Sequence, residues 1–395
     1  MVSKRVTCII TSLMCAVLFG LVVMNRMMAS TSTTTTAEWP IFDEAFTNNF
    51  AVQQAQGDQP VEKTRKNIQV LKGLPESQLF LLMNVVATSL GVRCDYCHVK
   101  RGEKYYNGDW VWESDEKPKK LVGRRMIQMV LDINRTNFSG ESLVTCYTCH
   151  RGNTVIARLP PLPPHDPGVR TETALPSAEQ IVAKYVAAVG GNEAAAKFKT
   201  TVMKGTIERI EGRNAQLEVT LKDADKYLIT QTSPQSATAL GVKGDSGWAR
   251  SNTGGSRRLS GRTLEQSKRV TTVYYAPIKV VDQPAQMKVL GTEKIGEREA
   301  YVLALVVNPD LTRRLYFDTQ TGLLLRELTT TRTMLAPLLD QVDFEDYRDV
   351  DGVKLPFTIR TSNAAPYDTA TRRFTEIRHN VAVDDNIFNL AAAPQ

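Results

Sequence analysis

Four of the six cysteines in this 395-residue sequence fall in two tight pairs, each followed directly by a histidine: Cys94-Asp-Tyr-Cys97-His98 and Cys146-Tyr-Thr-Cys149-His150. Two thiols three positions apart are spaced to bond the two vinyl groups of one haem, and the adjacent histidine is then held beneath the iron as its proximal ligand. Other uses of paired cysteines fit less well. A zinc site built from four cysteines sets its pairs about 15–20 residues apart, much closer than Cys97 and Cys146. A thioredoxin-like pair calls for a βαβ context and needs no histidine. A disulfide across either short loop would be strained. The motifs therefore predict two covalent haems c, one attached through Cys94 and Cys97 and one through Cys146 and Cys149, with His98 and His150 on the irons.

A haem that shuttles electrons at raised potential usually takes methionine as its sixth ligand. Upstream of the first motif, Pro75 opens and Gly91 closes a helix whose face carries Leu79, Met83, Val86 and Leu90, with Met83 at its centre. Upstream of the second, Pro118 opens a helix on which Val122, Met126, Met129 and Ile133 share a face, so that either Met126 or Met129 is in place to reach an iron. The bland alternative is that these methionines fill core, as most methionines on an apolar face do. Arg125 and Arg151 flank the proposed ligands and are possible propionate partners, although arginines beside helices are usually just solvated. His165 and His379 read as surface or packing residues.

The elements that must hold these residues divide the chain. Residues 1–29 start with a basic pair, Lys4-Arg5, followed by a charge-free apolar run from Val6 to Met24. That run is longer than the core of a cleaved signal and long enough to span a bilayer, which predicts an inner-membrane anchor with the rest of the chain periplasmic. Residues 30–61, with their threonine run, read as a tether. Residues 62–157 form a mainly α dihaem domain. The proline-rich stretch 158–176 is a stiff linker. From residue 177 to 395 the expectation is an α+β domain: one helix behind the capping box Ser177-Ala-Glu-Gln180, stopped by Gly190, then a long antiparallel meander with turns at Gly296, Asp318 to Gly322 and Asp351-Gly352. The formal charge of +7, with 49 Lys and Arg interspersed among 42 Asp and Glu, gives nucleic-acid binding little support.

Several blocks resemble a known family. They are Asn67-Ile-Gln-Val-Leu71, Leu82-Met83 ahead of the first motif, Trp112-Glu-Ser-Asp-Glu-Lys-Pro118, Arg124-Arg125-Met126-Ile-Gln-Met129 and Val144-Thr-Cys-Tyr-Thr-Cys-His150-Arg-Gly152. Together they are similar to the cytochrome c subunit of photosynthetic reaction centres, over about residues 62–156. In that family a helix supplies the axial methionine ahead of each attachment motif. The resemblance implies Met83 and Met126 as those ligands, Met126 rather than Met129 because it follows the arginine pair. Well-known members carry four haems and this chain has two motifs, so haem binding carries over while docking to a reaction centre does not. Residues 177–388 resemble the half-barrel of bacterial lipoprotein carriers through Ser177 to Tyr185, Leu315 to Leu324, and Phe344 to Tyr347 with Asp351 to Phe357. That likeness implies an acyl or lipoprotein ligand as a possible occupant. A plain structural sheet is the equal alternative.

The functional expectation is an electron carrier with two His/Met haems that exchanges electrons with redox partner proteins of unknown identity at the membrane. The alternatives are a peroxidase-type haem enzyme, which needs an open iron position and a distal acid or base, and a lipid- or lipoprotein-binding protein with an accessory haem module.

Overall fold

The computed structural model describes residues 58–102, 109–156, 175–364 apart from short breaks and the longer gap 269–285, and 369–390. The expected anchor at 1–29, all but the end of the tether, His165 and most of the proline-rich linker lie outside these residues. No helix among the described residues is long and apolar enough to cross a membrane.

The first module is mainly helical. A single turn, α1 (Val61–Thr64), leads to α2 (Glu76–Leu90), then to a 3-10 turn at Cys94–Tyr96. Two three-residue strands, β1 (Val99–Arg101) and β2 (Asp109–Val111), pair antiparallel. Next come α3 (Pro118–Asn137) and the short α4 (Cys146–His150), which carries the second motif. The hairpin is an addition to the expected mainly α domain that the sequence pattern does not show, because strands this short have no readable alternation.

The second module starts with α5 (Ala178–Ala188), whose capping box joins the Ser177 hydroxyl to the Gln180 backbone N–H and the Gln180 side chain to the Ser177 N–H. Thirteen antiparallel strands follow, β3 (Thr200–Arg209) through β15 (Ala370–His379). They form one sheet in the order β8-β7-β6-β5-β4-β3-β15-β14-β13-β12-β11-β10-β9, so two meanders join where the first strand of the sheet pairs with the last. The turns fall at the predicted Gly296, Asp318 to Gly322 and Asp351-Gly352.

One core collects Ile181, Val182 and Tyr185 of α5 with Val242 and Leu259 from one end of the sheet and Leu303 and Leu315 from the other. A helix packed on one face of a single long antiparallel sheet fits the expected α+β half-barrel. Its interior is filled with side chains: Tyr185, Phe317 and Phe344 are fully buried, and the Tyr185 and Phe317 rings lie 5.1 Å apart. His379 sits at the end of β15, stacked on Phe198 with its Nδ1 3.0 Å from the Thr201 hydroxyl, a packing residue as expected.

The two modules share a core. The loop joining β12 (Leu324–Thr331) to β13 (Leu338–Val350) places Leu335, Ala336 and Leu338 in one buried cluster with Val61, Leu71, Leu74, Leu82, Ile127 and Val130 of the helical module. Thr333 pins the loop by accepting from the backbone N–H groups of Leu335 and Ala336 and donating to the Ala336 carbonyl. Arg332 pairs with the buried Glu141 at 2.7 Å, and the Thr88 hydroxyl donates to the Ala364 carbonyl at 2.9 Å. Val52–Gln395 accordingly behaves as one compact unit.

Candidate haem-binding site

Helix α2 is bounded as its sequence dictates. Proline at the N-cap lacks the N–H that would be orphaned there, and Gly91 closes the helix in the left-handed conformation at φ 65°. Its predicted apolar face, Leu79, Met83, Val86 and Leu90, lines a cavity of about 650 Å³. Cys94, Cys97, His98, Trp112 and Ile127 line the same cavity. Its size and largely apolar wall are those of a cofactor site.

The backbone after the motif explains how His98 is held. The chain turns at Cys94–Tyr96, with the His98 N–H donating to the Cys94 carbonyl, and enters β1 directly. The register Val99↔Val111 then returns Trp112 beside the histidine, ring centroids 5.2 Å apart and nearly edge-on. His98 Nδ1 lies 3.3 Å from the Trp112 carbonyl oxygen. A carbonyl can only accept, so Nδ1 carries the proton and Nε2 keeps its lone pair, the form in which imidazole binds a metal. Burial pushes the His98 imidazole below its ordinary pKa, favouring this neutral state, and pushes the Cys97 and Cys146 thiols up.

A polar wall completes the cavity. Asp115 pairs with Arg124 at 2.9 Å and with Lys120 at 3.1 Å, and accepts from Asn67 at 3.0 Å. Arg124 also donates to the Asn67 carbonyl. The hydrogen bond from Arg124 holds the Asp115 carboxyl well below the carboxylate range. At the mouth, Arg65 pairs with Glu76. Arg65, Lys66, Arg93, Lys120 and Arg124 are the cations that line the cavity, whereas Arg125 is exposed and Arg151 closes α4 with φ 50°. Of the arginine pair, Arg124 turns toward Asp115 and the first cavity, while Arg125 lies on the exposed side with Met126.

The second motif is built on the same plan. Val144 is tied to α3 by both amide groups of buried Asn134, which accepts from its N–H and donates to its carbonyl. Thr145 and Thr148 form a capping box that starts α4. His150 Nδ1 lies 2.9 Å from the Asn153 carbonyl, again leaving Nε2 free for a metal. The two motifs also touch through backbone: Gly152 N–H donates to the Ser89 carbonyl at 2.8 Å, and a Cβ on Gly91 would run into the Gly152 carbonyl.

Helix α3 carries its predicted methionine face on the exposed side. Its buried side is Ile127, Val130 and Asn134, which packs on the shared core, while the predicted face remains exposed at Val122, Met126 and Met129. Met126 is 39% and Met129 43% exposed, so burial does not choose between them. The helix is apolar on two sides, and the pattern alone could not say which side the core would take. Leu143, Tyr147 and Ile156, from around the second motif, are exposed apolar residues as well. The four sulfurs form no disulfide. Two thiols, an imidazole with a free Nε2 and a methionine converge on the first cavity, a donor set that fits a covalently held haem.

Comparison with known proteins agrees with the resemblance read from the motifs. Residues 23–189 match the family described as photosynthetic reaction centre cytochrome C subunit. The photosynthetic reaction center cytochrome c subunit of Thermochromatium tepidum is 38% identical over 94 residues, covering 23% of this chain and 21% of that protein. Cytochrome c-554 of Chloroflexus aurantiacus is 35% identical over 91 residues, covering 21% and 20%. The chain thus spans about a fifth of the length of these relatives. Among solved structures, a LolA superfamily protein from Nitrosomonas europaea aligns with 55% of this chain and 99% of its own at 15% identity and a TM-score of 0.37. A putative outer membrane lipoprotein-sorting protein domain from Vibrio parahaemolyticus aligns with 54% and 97% at 14% identity and a TM-score of 0.37.

Proposed function

We propose that the chain is an electron-transfer cytochrome with two covalent haems c, attached through Cys94 and Cys97 and through Cys146 and Cys149. His98 and Met83 would hold the first iron, His150 and Met126 the second. The observation that carries the reading is the convergence of Met83, Cys94, Cys97 and His98 on one cavity, with His98 Nδ1 engaged by a carbonyl and Nε2 left for a metal. Haem so ligated supplies reversible one-electron exchange between ferric and ferrous iron.

The residues of the chain do the rest. The apolar face of α2 excludes water, the Trp112 and Asn153 carbonyls fix the two imidazoles, and Arg65 and Arg124 would offer cations to the propionates. The exposed Val122, Met126 and Met129 form the wall for the second haem. A peroxidase-type role is less well supported: among the described residues lining the cavity, His98 is the one imidazole and it is the proximal candidate, while Met83 stands ready to close the other side. An acyl-binding role for the sheet finds its described interior already packed by Tyr185, Phe317 and Phe344. We further assign residues 1–29 to a membrane anchor that leaves the cytochrome periplasmic, with residues 62–157 and 177–395 as its two domains.

The test is chemical. Pyridine haemochrome analysis of the purified chain is expected to give two haems per polypeptide, and one after joint replacement of Cys94 and Cys97 by alanine. A haem-free chain from a host competent in cytochrome c maturation would overturn the proposal.

A further inference from the structure

We propose that Lys120 is a positioning residue that raises the reduction potential of the haem held at Cys94 and Cys97 above that of the haem held at Cys146 and Cys149, an inference that rests on the dihaem reading. Lys120 is almost enclosed, its side chain 10% exposed, and its Nζ donates to the Trp112 carbonyl at 2.9 Å and to the Ser114 carbonyl at 2.7 Å. The Trp112 carbonyl is the same acceptor that faces His98 Nδ1. A carbonyl oxygen has two lone pairs, so one oxygen serves both groups.

The ammonium draws electron density from that oxygen and weakens it as an acceptor for the imidazole N–H. A weaker bond at Nδ1 leaves the ring less anionic and less basic at Nε2, and a less basic ligand stabilises ferric iron less. The charge of Lys120 acts in the same direction, because a nearby cation opposes the extra positive charge of the ferric state. Asp115 does not cancel it. That carboxylate is shared between Lys120 and Arg124, so the three groups together carry one net positive charge.

The second site lacks this device. Its histidine faces the Asn153 carbonyl, and among the described residues no cation donates to that oxygen. Two sites alike in ligand type thus differ in what stands behind the proximal histidine.

The experiment is a redox titration of the full chain, followed in the haem absorption bands, for the unmodified protein and for Lys120→Met, Lys120→Arg and Asp115→Asn, with haem counted in each. The inference expects two low-spin haems throughout. Lys120→Met lowers the higher of the two potentials and leaves the other in place, Lys120→Arg restores it, and Asp115→Asn shifts the same potential upward. Two bound haems with both potentials unmoved in Lys120→Met overturn the inference, as does an equal shift of both. If Lys120→Met does not fold, Asp115→Asn decides: an upward shift of one potential supports the inference and no shift overturns it. Absence of haem from the unmodified protein is a different outcome, which sinks the dihaem reading itself.

Discussion

Replacing Met83 by alanine separates two roles that a methionine on an apolar face can play. As an iron ligand, its loss opens one coordination position, so carbon monoxide should bind one of the two haems in the reduced protein while the other keeps its low-spin spectrum. As core filler, its loss would instead cost about 2–5 kcal/mol of stability with both spectra unchanged. The same experiment on Met126 and Met129 decides a choice that burial leaves open, since both lie on the exposed face of α3. The expected outcome is carbon monoxide binding in Met126→Ala and an unaltered spectrum in Met129→Ala. Asp115 gives the cavity wall a pH dependence. Its folded pKa is depressed by Arg124, so its contribution to stability is in place at neutral pH and is lost as pH falls below the ordinary carboxylate range. Acid titration of Asp115→Asn should therefore show a shallower loss of stability below pH ~4 than the unmodified protein.

Between the elements, a close fit is found where α2 ends against the second motif. Gly91 adopts a left-handed conformation and also faces the Gly152 carbonyl without room for a Cβ. Gly91→Ala should destabilise the protein by about 1–3 kcal/mol or more in thermal or denaturant unfolding. A neutral result would mean that the two segments are not in contact. The bounds of α2 and α5 were legible because local chemistry sets them: Pro75 and Gly91 for one, the Ser177 and Gln180 box for the other. The hairpin turns of the large sheet were legible for the same reason. The β1–β2 hairpin was not, and neither was the buried side of α3. Three-residue strands have no period to read, and a helix apolar on two faces is oriented only by its partners. The carbonyl that holds His98 belongs to Trp112, and the wall around Asp115 joins Asn67 to Arg124. Such contacts are products of the folded backbone rather than of any motif.

For the whole molecule, the proline-rich linker suggests two domains that fold apart, yet the β12–β13 loop buries Leu335 with Leu82 in the helical module. No local pattern marks Thr333 to Pro337 as a contact segment, because their partners lie some 200 residues upstream or more. Leu335→Ala should cost about 2–5 kcal/mol, and its unfolding should lower the stability of the haem module and not just of the sheet. A chain ending near Arg158 should expose Leu71, Leu74 and Leu82 and aggregate or lose haem on standing. A stable, monomeric, haem-loaded fragment would show that the helical module is complete without the loop. The loop also imposes an order on biosynthesis. Leu335 emerges about 240 residues after Cys94, which at ordinary rates of synthesis is a delay of roughly 10–50 s. Throughout that interval the core under α2 lacks its last wall, and the first pair of thiols belongs to a module still open to the machinery that attaches haem. A haem attached within that interval would be enclosed when the loop arrives.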